Sequence, residues 1–352
     1  MTQILRRKTR PIMLGNIQIG GDAPISIQSM LNVKTANVQA AREQMKRLIS
    51  AGCEIIRFSV MDMDDALAIP ELKRGMNTAL VADIHFDYRL ALAAIENGID
   101  GLRINPGNIG SRKGVESLSD AAKAQRIPIR IGVNSGSLPK ELLARYGHGS
   151  KAMVEAALSH VKILEDLGFY DIKISAKASN IPLMLESYRE LSQRCDYPLH
   201  LGVTEAGTML SGSVKSAIGL GILLEEGIGD TLRVSLTDDP VQEVYVARQI
   251  LIALGIRKGL QIVSCPTCGR TRIDLIGLAQ KVERALQEFK DKEICVAVMG
   301  CAVNGPGEAK EADFGIAGGN KEGLIFARGE IIRKVPEDKL LSALVEVIRE
   351  SL

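Results

Sequence analysis

Short apolar runs alternate with amphipathic stretches along most of this chain. From about residue 25 onward, eight runs of strand length are rich in β-branched and other apolar residues. The predicted strands are Ile25–Met30, Ile55–Val60, Leu80–His85, Gly101–Asn105, Pro128–Val133, Asp171–Ala176, Pro198–Val203 and Thr231–Leu236. Between them, apolar residues recur at helical spacing, as in Val38–Ser50, Tyr88–Asn97, Ala152–Leu167, Pro182–Arg194 and Pro240–Leu254. Eight consecutive strand–helix units predict a TIM (β/α)8 barrel.

The pattern changes after residue 256. Strands are predicted at Gln261–Val263, Ile294–Met299, Phe314–Ile316 and Leu324–Ala327, with helices at Asp274–Phe289 and from Pro336 onward. The sequence therefore predicts two domains: a barrel over residues 1–256 and a small α+β domain over residues 257–352. The linker is predicted at 257–259. A doubly wound sheet is disfavoured because no Gly-x-Gly-x-x-Gly follows the first strand.

Five predicted strands carry a cation between apolar neighbours. These cations are Arg57, Arg103, Arg130, Lys173 and Arg233. Because strand side chains alternate between two faces, apolar residues that pack outward against helices leave the cations pointing into the barrel. Asp83 and Glu205 are available as counterions, and two carboxylates cannot neutralise five cations. Since buried unpaired charges are unfavourable, we expect an anionic ligand at the barrel mouth.

Cysteines near the C-terminus suggest a metal site. Cys265 and Cys268 form a Cys-x-x-Cys after one predicted strand, and Cys301 follows another. Glu308, in a Gly-Pro-Gly turn, is a candidate fourth ligand. The remaining cysteines are interpreted as packing residues: Cys53, Cys195 and Cys295. Thiolates with a carboxylate suit either zinc or an iron–sulfur cluster, and spacing leaves both open.

Composition narrows the class of protein. The chain has 352 residues, is 46% hydrophobic and 24% charged, and carries a net charge of only +2, which does not favour nucleic acid or a membrane surface as partner. No apolar run is long enough for a transmembrane helix, and Arg6-Arg7-Lys8 precedes no apolar leader segment. Six cysteines in a chain of this length favour metal binding in the reducing cytoplasm over disulfides.

Three strings carry a resemblance to a known family. They are Cys265-Pro-Thr-Cys-Gly-Arg270, Gly300-Cys-Ala-Val-Asn-Gly-Pro-Gly-Glu-Ala309 and Leu201-Gly-Val-Thr-Glu-Ala-Gly207. With further barrel strings they resemble the 4-hydroxy-3-methylbut-2-en-1-yl diphosphate synthase family of the non-mevalonate isoprenoid pathway. The resemblance covers nearly the whole chain. One departure lies after the first strand, where Leu31 and Val33 stand in place of the usual threonines.

The resemblance implies an activity and its cofactor. Members reductively open 2-C-methyl-D-erythritol 2,4-cyclodiphosphate to a linear allylic diphosphate, releasing water. They use a [4Fe-4S] cluster, which here implies the ligands Cys265, Cys268, Cys301 and Glu308. Flavodoxin or ferredoxin supplies the electrons. Members are homodimers in which the cluster domain of one subunit closes over the barrel of the other.

The resemblance and the strand pattern together suggest roles for site residues. The substrate-binding set is Arg57, His85, Arg103, Asn105, Arg130, Asn134, Lys173, Arg233 and Ser235. Glu205 is assigned to proton delivery or to holding the substrate hydroxyl, and Glu308 is the iron ligand expected to be displaced. Two alternatives are a pterin-binding or methyl-transfer barrel with structural zinc, and an electron carrier. The first leaves the cations unexplained, and the second leaves the barrel unexplained.

Overall fold

The chain forms two compact units, residues 1–250 and 251–352. The computed structural model describes residues 4–105, 107, 109, 111–301 and 311–352. The division falls inside the helix Pro240–Ala253, whereas the sequence placed the boundary after residue 256. The predicted boundary and linker stay predictions.

The first unit is a barrel preceded by a hairpin. The hairpin strands are β1 (Ile12–Leu14) and β2 (Ile17–Ile19). The barrel strands are β3 (Ser26–Met30), β4 (Ile55–Ser59), β5 (Ala79–Asp83), β6 (Gly101–Ile104), β7 (Ile129–Asn134), β8 (Ile172–Lys177), β9 (His200–Leu201) and β10 (Thr231–Leu232). They run parallel in the order β8-β7-β6-β5-β4-β3-β10-β9, and a bridge from Ile174 to Leu199 joins the two ends. The predicted TIM barrel is confirmed.

Helices cover the outside of this barrel. They are α1 (Val38–Ala51), α2 (Met63–Leu67), α3 (Ile69–Lys73), α4 (Tyr88–Glu96), α5 (Arg112–Ala124), α6 (Lys140–Tyr146), α7 (Ser150–Asp166), α8 (Ile181–Arg194), α9 (Met209–Glu225) and α10 (Pro240–Ala253). Local sequence sets several of their ends. The Asn37 side chain accepts the Ala40 N–H at the start of α1, and Gly52 ends that helix with φ 100. Asn180 caps α8 in the same way through the Leu183 N–H.

The hairpin β1–β2 packs against residues at the N-terminal end of the barrel strands. Its residues Ile12, Leu14 and Ile19 pack with Ile55, Ala79 and Val81. A Cβ at Gly101 would lie 2.3 Å from Leu14 Cδ1, so only glycine admits this contact. The sequence analysis predicted no strands here and missed the hairpin, because runs of three residues are too short to show a period.

The second unit is built on a five-stranded mixed sheet. Its strands, in spatial order, are β11 (Leu260–Ser264), β12 (Ile294–Met299), β13 (Phe314–Gly318), β14 (Glu322–Ala327) and β15 (Glu330–Pro336). Helices α11 (Leu275–Ala285) and α12 (Leu340–Ser351) contribute to its apolar core. The first three strands are parallel neighbours, which brings the ends of β11 and β12 to one edge.

Two predictions in this unit were wrong in detail. Strand β15 was not predicted, because its Glu330–Pro336 segment is largely exposed and charged, as suits an edge strand. Pro336 ends that strand with φ −57 and ψ 152 and does not begin the last helix. That helix begins at Leu340, after a 3-10 turn. In the described part of the chain, no helix is long and apolar enough to cross a membrane.

Candidate active site

The barrel strands place apolar residues outward and cations inward. Ile56 and Phe58 flank Arg57 on β4 and are fully buried against the helices. The same arrangement recurs around Arg103 on β6 and Arg130 on β7. Because these strands point their C-terminal ends to the same side, their inward side chains meet at the barrel mouth.

A cavity of about 150 Å³ lies at this mouth. It is lined almost entirely by polar and charged side chains. They are Arg57, Asp83, His85, Arg103, Arg130, Asn134, Ser175, Lys177, Thr204, Arg233 and Ser235. The residues come from all barrel strands or strand ends between β4 and β10, so one ligand here would contact most of the barrel.

Asp83 is the central carboxylate of the cavity. Its Oδ1 accepts from Arg103 Nη1 at 3.2 Å, and its Oδ2 lies 3.6 Å from Arg57 Nε and 3.7 Å from His85 Nε2. Burial alone would raise the pKa of Asp83, but Arg57, Arg103 and Arg130 together outweigh burial and hold that pKa below its ordinary value. Asp83 therefore stays ionised and orients two guanidiniums and one imidazole.

A second carboxylate, Glu243, orients Arg233 from outside the strands. Arg233 donates to Glu243 through Nε at 3.1 Å and Nη2 at 3.0 Å. Glu243 lies in the first turn of α10 and also accepts from the Ser29 hydroxyl at 2.9 Å. Between Arg233 and Arg57 lies Met30, whose Sδ is 2.9 Å from Arg57 Nη2 and 3.5 Å from Arg233 Nη1. These contacts fix the Arg57 and Arg233 guanidiniums on the side away from the cavity, so their remaining N–H groups can donate to a ligand.

Positive charge exceeds negative charge at this site. Four arginines and Lys177 line the cavity, whereas Asp83 and Glu243 are the carboxylates bound to them, so the basic groups outnumber the carboxylates by three. Arg130 is buried, donates to Ser175 Oγ at 3.1 Å, and has no partner for Nε or Nη2 among the described residues. Burial and neighbouring guanidiniums lower the pKa of Lys177 well below its ordinary value. An anion would relieve this repulsion.

Two glycines make room for the cationic head groups. A Cβ at Gly132 would lie 2.6 Å from Arg103 Nε, and a Cβ at Gly202 would lie 2.4 Å from Lys177 Nζ and 2.8 Å from the Arg233 carbonyl oxygen. Both glycines occupy inward strand positions, where any side chain would fill the space that the cations use. The glycines are therefore part of the site although they offer no functional group.

Replacing Gly202 with alanine is expected to lower kcat/KM by about tenfold or more, since the methyl group would displace the Lys177 amine and press on the Arg233 backbone oxygen. Steady-state kinetics with the cyclodiphosphate, the substrate that the family resemblance implies, measure the effect. Gly149→Ala is the matched control, because Gly149 precedes α7 in an extended conformation and has space for a methyl group. Equal kinetics of the Gly202 variant and wild type would show that Lys177 does not need this position.

The structure places the predicted site residues in two groups. The predicted residues that line the cavity are Arg57, His85, Arg103, Arg130, Asn134, Arg233 and Ser235. Asn105, Lys173 and Glu205 do not line it. The Asn105 side chain accepts the Gly107 N–H at 3.3 Å. Lys173 is buried on β8, nearer the N-terminal end of the strand than the cavity. Glu205 is exposed, with φ 51.

Four residues of the site were missed, namely Ser175, Lys177 and Thr204 in the cavity lining and Glu243 behind Arg233. Lys177 lines the cavity, and it follows Lys173 and Ser175 on the inward face of β8, so strict alternation along that strand would have identified it. Glu243 gave no comparable indication, because it is a helix residue whose contact with Arg233 depends on the packing of α10 against the barrel. Glu205 was considered as a counterion for a barrel arginine, but Glu243 is the carboxylate that pairs with Arg233.

Two cysteines of the second unit, Cys265 and Cys301, lie at one sheet edge. Cys265 follows β11 and Cys301 follows the neighbouring parallel strand β12. The Gly300 N–H donates to Cys265 Sγ at 3.2 Å. Backbone and side-chain donors of Arg270 lower the pKa of the exposed Cys268 thiol, which favours the thiolate needed for metal binding. The turn Cys268–Thr271 is held by the Thr271 N–H and the Cys268 carbonyl oxygen at 3.0 Å.

The other three cysteines have the surroundings of packing residues. Burial raises the pKa of the Cys53 thiol to about 12, and its Sγ donates to the Ile55 carbonyl oxygen. Burial also raises the pKa of Cys195 and Cys295. Glu308 lies outside the described residues. Within the described ranges, no three His, Cys, Asp or Glu side chains are gathered closely enough to hold a metal ion.

Two family models match the chain. One, described as the GcpE TIM-barrel domain, matches residues 9–248, and the other, described as the GcpE protein C-terminal domain, matches residues 261–350. Curated relatives include 4-hydroxy-3-methylbut-2-en-1-yl diphosphate synthase (flavodoxin) of Clostridium perfringens, 60% identical over 97% of this chain and 99% of the relative. The protein of the same name from Geobacter sulfurreducens is 58% identical over 99% of both chains.

Among solved structures, the chain resembles dihydropteroate synthase from Yersinia pestis. The TM-score is 0.50 at 12% sequence identity, and the match covers 70% of this chain and 97% of that one. At this identity the likeness concerns the barrel fold alone.

Proposed function

The chain belongs to the GcpE family, and we propose on this basis that it is a 4-hydroxy-3-methylbut-2-en-1-yl diphosphate synthase. The reaction is the reductive opening of 2-C-methyl-D-erythritol 2,4-cyclodiphosphate, with loss of water, to 4-hydroxy-3-methylbut-2-enyl diphosphate. The observation that carries the proposal is the excess of three basic groups over carboxylates around the barrel cavity. A cyclic diphosphate is a compact dianion of the kind these cations would bind.

The arginines and Lys177 are proposed to hold the two phosphate groups. Arg57, Arg103 and Arg233 are already oriented by carboxylates, so they can donate to phosphate oxygens without reorganising. Arg130 offers donors that have no protein partner in the described part of the chain. These contacts fix the position of the ring relative to the strand ends.

Glu205 is proposed to deliver or hold the proton that converts the leaving hydroxyl into water. It follows Thr204, which lines the cavity, and its φ of 51 places a non-glycine residue in the left-handed region. Such strain is often retained where it aims a functional side chain. Its exposure leaves it free to move toward a bound substrate. His85, Asn134 and Ser235 line the cavity and would orient the remaining oxygens, as proposed also for Asn105.

The cysteine edge is proposed to hold a [4Fe-4S] cluster. Its residues fit such a group, because Cys265 and Cys301 end adjacent parallel strands and an amide N–H already points at Cys265 Sγ. Cys268 and Glu308 would complete the ligand set, with Glu308 as the more weakly held ligand. When bound, the cluster supplies single electrons to the substrate. Flavodoxin, named with the relatives, is the proposed electron donor, with ferredoxin as the other candidate. The proposed location is the cytoplasm.

A homodimer, with the cluster domain acting on the barrel of the second subunit, is also proposed. The outer face of α9 supports self-association, because Leu210, Val214, Ile218 and Ile222 are 79%, 51%, 50% and 37% exposed in one stripe. Gly221 lies beside them with open space where a Cβ would be. A two-fold contact would set the bulky residues of one copy against this gap in the other. Of the residues on this outward face up to Ile222, Lys215 alone is charged.

Replacing Ile218 with aspartate is expected to convert the dimer to monomer at micromolar concentration, because the contact would bury an unpaired charge. Light scattering coupled to size exclusion measures the mass. Tyr170→Asp is the control, since Tyr170 is similarly exposed but lies before β8 and outside the stripe. If both the Ile218 variant and the Tyr170 variant remain dimers, the interface lies elsewhere.

Anaerobic turnover tests the proposed function. Protein purified without oxygen is mixed with the cyclodiphosphate and a reduced viologen, and the allylic diphosphate is quantified. Cys268→Ser should abolish turnover while leaving cyclodiphosphate binding to the barrel intact. Iron-loaded wild-type protein that does not convert the compound would overturn the proposal. A pterin-binding or methyl-transfer activity has only the barrel fold in its favour and does not account for the cations.

A further inference from the structure

Lys173 belongs to a polar layer directly beneath the cavity. The layer is formed by inward side chains of β3, β7, β8 and β9, namely Gln28, Arg130, Lys173 and His200, of which Arg130 also lines the cavity. All four are at least nine-tenths buried. Several of their polar atoms have no protein partner in the described ranges: both amide atoms of Gln28, Nε and Nη2 of Arg130, and Nε2 of His200. Buried atoms of this kind bind ordered water, which here would connect the layer to the cavity above.

No carboxylate in the described ranges lies within ion-pair distance of Lys173. Asp230, before β10, is the acidic group that acts on it. That carboxylate is already occupied, since Oδ1 accepts from Arg6 Nη2 at 3.1 Å and from Thr9 Oγ1 at 2.9 Å, and Oδ2 accepts the Leu199 N–H at 2.8 Å. The positive charge of Lys173 would therefore lack a counterion of its own.

The groups that face Lys173 from the neighbouring strands β7 and β9 do not stabilise a positive charge on it. On β7, Arg130 is paired in register with Lys173, which sets two cations side by side on neighbouring strands. On β9, the His200 Nδ1 bonds to Thr231 Oγ1 at 2.8 Å, and burial with nearby Arg130, Lys177 and Lys173 keeps the pKa of His200 well below its ordinary value. The hairpin strands β1 and β2 contribute only apolar side chains to the core of the barrel floor.

Burial, followed by repulsion from Arg130, lowers the pKa of Lys173 to about 7. Near pH 7.5 the free protein therefore holds this amine largely uncharged. A diphosphate bound above it adds negative charge to the same low-dielectric interior, which favours the ammonium form.

We propose that Lys173 binds a proton when the diphosphate enters the cavity, so that substrate binding and proton uptake are coupled. This inference rests on the proposed function. Water bound to the unpartnered atoms of Gln28, Arg130 and His200 would carry the proton from the cavity to Lys173. Lys173 is on this account a positioning residue that acts on the ligand through its charge, while Lys177 contacts the ligand.

Calorimetry separates the contribution of Lys173 from that of other groups. The cyclodiphosphate is titrated anaerobically into oxidised holoenzyme, without reductant, in buffers of different ionisation enthalpy. Its phosphate groups do not titrate near neutral pH, so the protons counted belong to the protein. At pH 7.5 wild type should take up about half to one proton more than Lys173→Met, and the difference should vanish near pH 6. Any uptake by Lys177 is common to both proteins.

Affinity gives an independent measurement. From pH 6.5 to 8, the wild-type affinity should fall by about tenfold more than that of Lys173→Met. Lys173→Arg keeps its charge at every accessible pH, so it should bind at least as tightly as wild type at pH 8 and show no corresponding uptake. If Lys173→Met does not fold, the comparison of wild type with Lys173→Arg still tests the proposal through affinity and proton uptake.

The outcomes are distinguishable. Binding of the cyclodiphosphate with equal proton uptake by wild type and both variants would overturn the role of Lys173 and leave the proposed function standing. Failure of wild-type holoenzyme to bind the cyclodiphosphate at all would overturn both.

Discussion

Replacing Arg130 with methionine is expected to make the free protein more stable and almost inactive. The guanidinium is buried, has two nitrogens without protein partners in the described ranges, and lies near other cations. An apolar side chain of similar length removes that uncompensated charge, which should raise the free energy of unfolding by about 1–3 kcal/mol. The same change removes donors to the diphosphate, which should lower kcat/KM by about 100-fold or more.

Thermal unfolding followed by circular dichroism and steady-state kinetics measure the two effects. Arg194→Met is the matched control, because Arg194 forms exposed ion pairs with Glu155 and Glu190, and its loss should change neither quantity appreciably. A less stable Arg130 variant would show that Ser175 and ordered water compensate the guanidinium in the free protein. The prediction thus separates a residue kept for binding from one kept for folding.

Replacing Asp83 with asparagine should make the protein less stable, in contrast to the replacement of Arg130 with methionine. Its carboxylate is buried and opposes the charges of Arg57 and Arg103. Loss of one partner in a buried charge cluster leaves the others uncompensated, and the free energy of unfolding at pH 7 should fall by about 3–5 kcal/mol. The cyclodiphosphate should restore more stability to this variant than to wild type, since it supplies the missing negative charge.

The effect of Asp83→Asn should depend on pH in a defined direction. The pKa of Asp83 is lowered in the folded protein, so its stabilisation is fully present above the ordinary aspartate value of about 4 and is lost as pH falls through the lowered value. The difference between variant and wild type should therefore shrink in acid. Asp166→Asn, which removes an exposed pair with Lys162, is the control and should shift stability by less than about 1 kcal/mol. A pH-independent difference would indicate a packing role for Asp83.

The barrel and the cation face were predictable because both follow from simple periodicities. Eight strand–helix units determine the fold class, and strict alternation places Arg57, Arg103 and Arg130 inside. Contacts between elements distant in sequence were not predictable. Glu243 contacts Arg233 because α10 packs against the barrel. Asp230 forms an ion pair with Arg6, which is far from it in sequence.

Depth along a strand was also hidden from the sequence. Lys173 and Lys177 share one face of β8, so periodicity treats them alike, yet Lys177 lines the cavity and Lys173 does not. Lys177 is the last residue of β8 and lies at the mouth, whereas Lys173 lies four residues nearer the N-terminal end of the same strand. The sequence pattern does not show where along the strand the cavity ends.

The segment that precedes the N-terminal hairpin gives the barrel a late point of completion during synthesis. The Arg7 N–H bonds to the Gly227 carbonyl oxygen, and the Arg10 N–H bonds to that of Asp196. These partners leave the ribosome roughly two hundred residues after the segment that they hold, whereas Ile55, Ala79 and Val81, which pack with the hairpin, are made much earlier. The hairpin can therefore cover the first strands early in synthesis, and the backbone bonds of Arg7 and Arg10 form only when the last barrel strands are present.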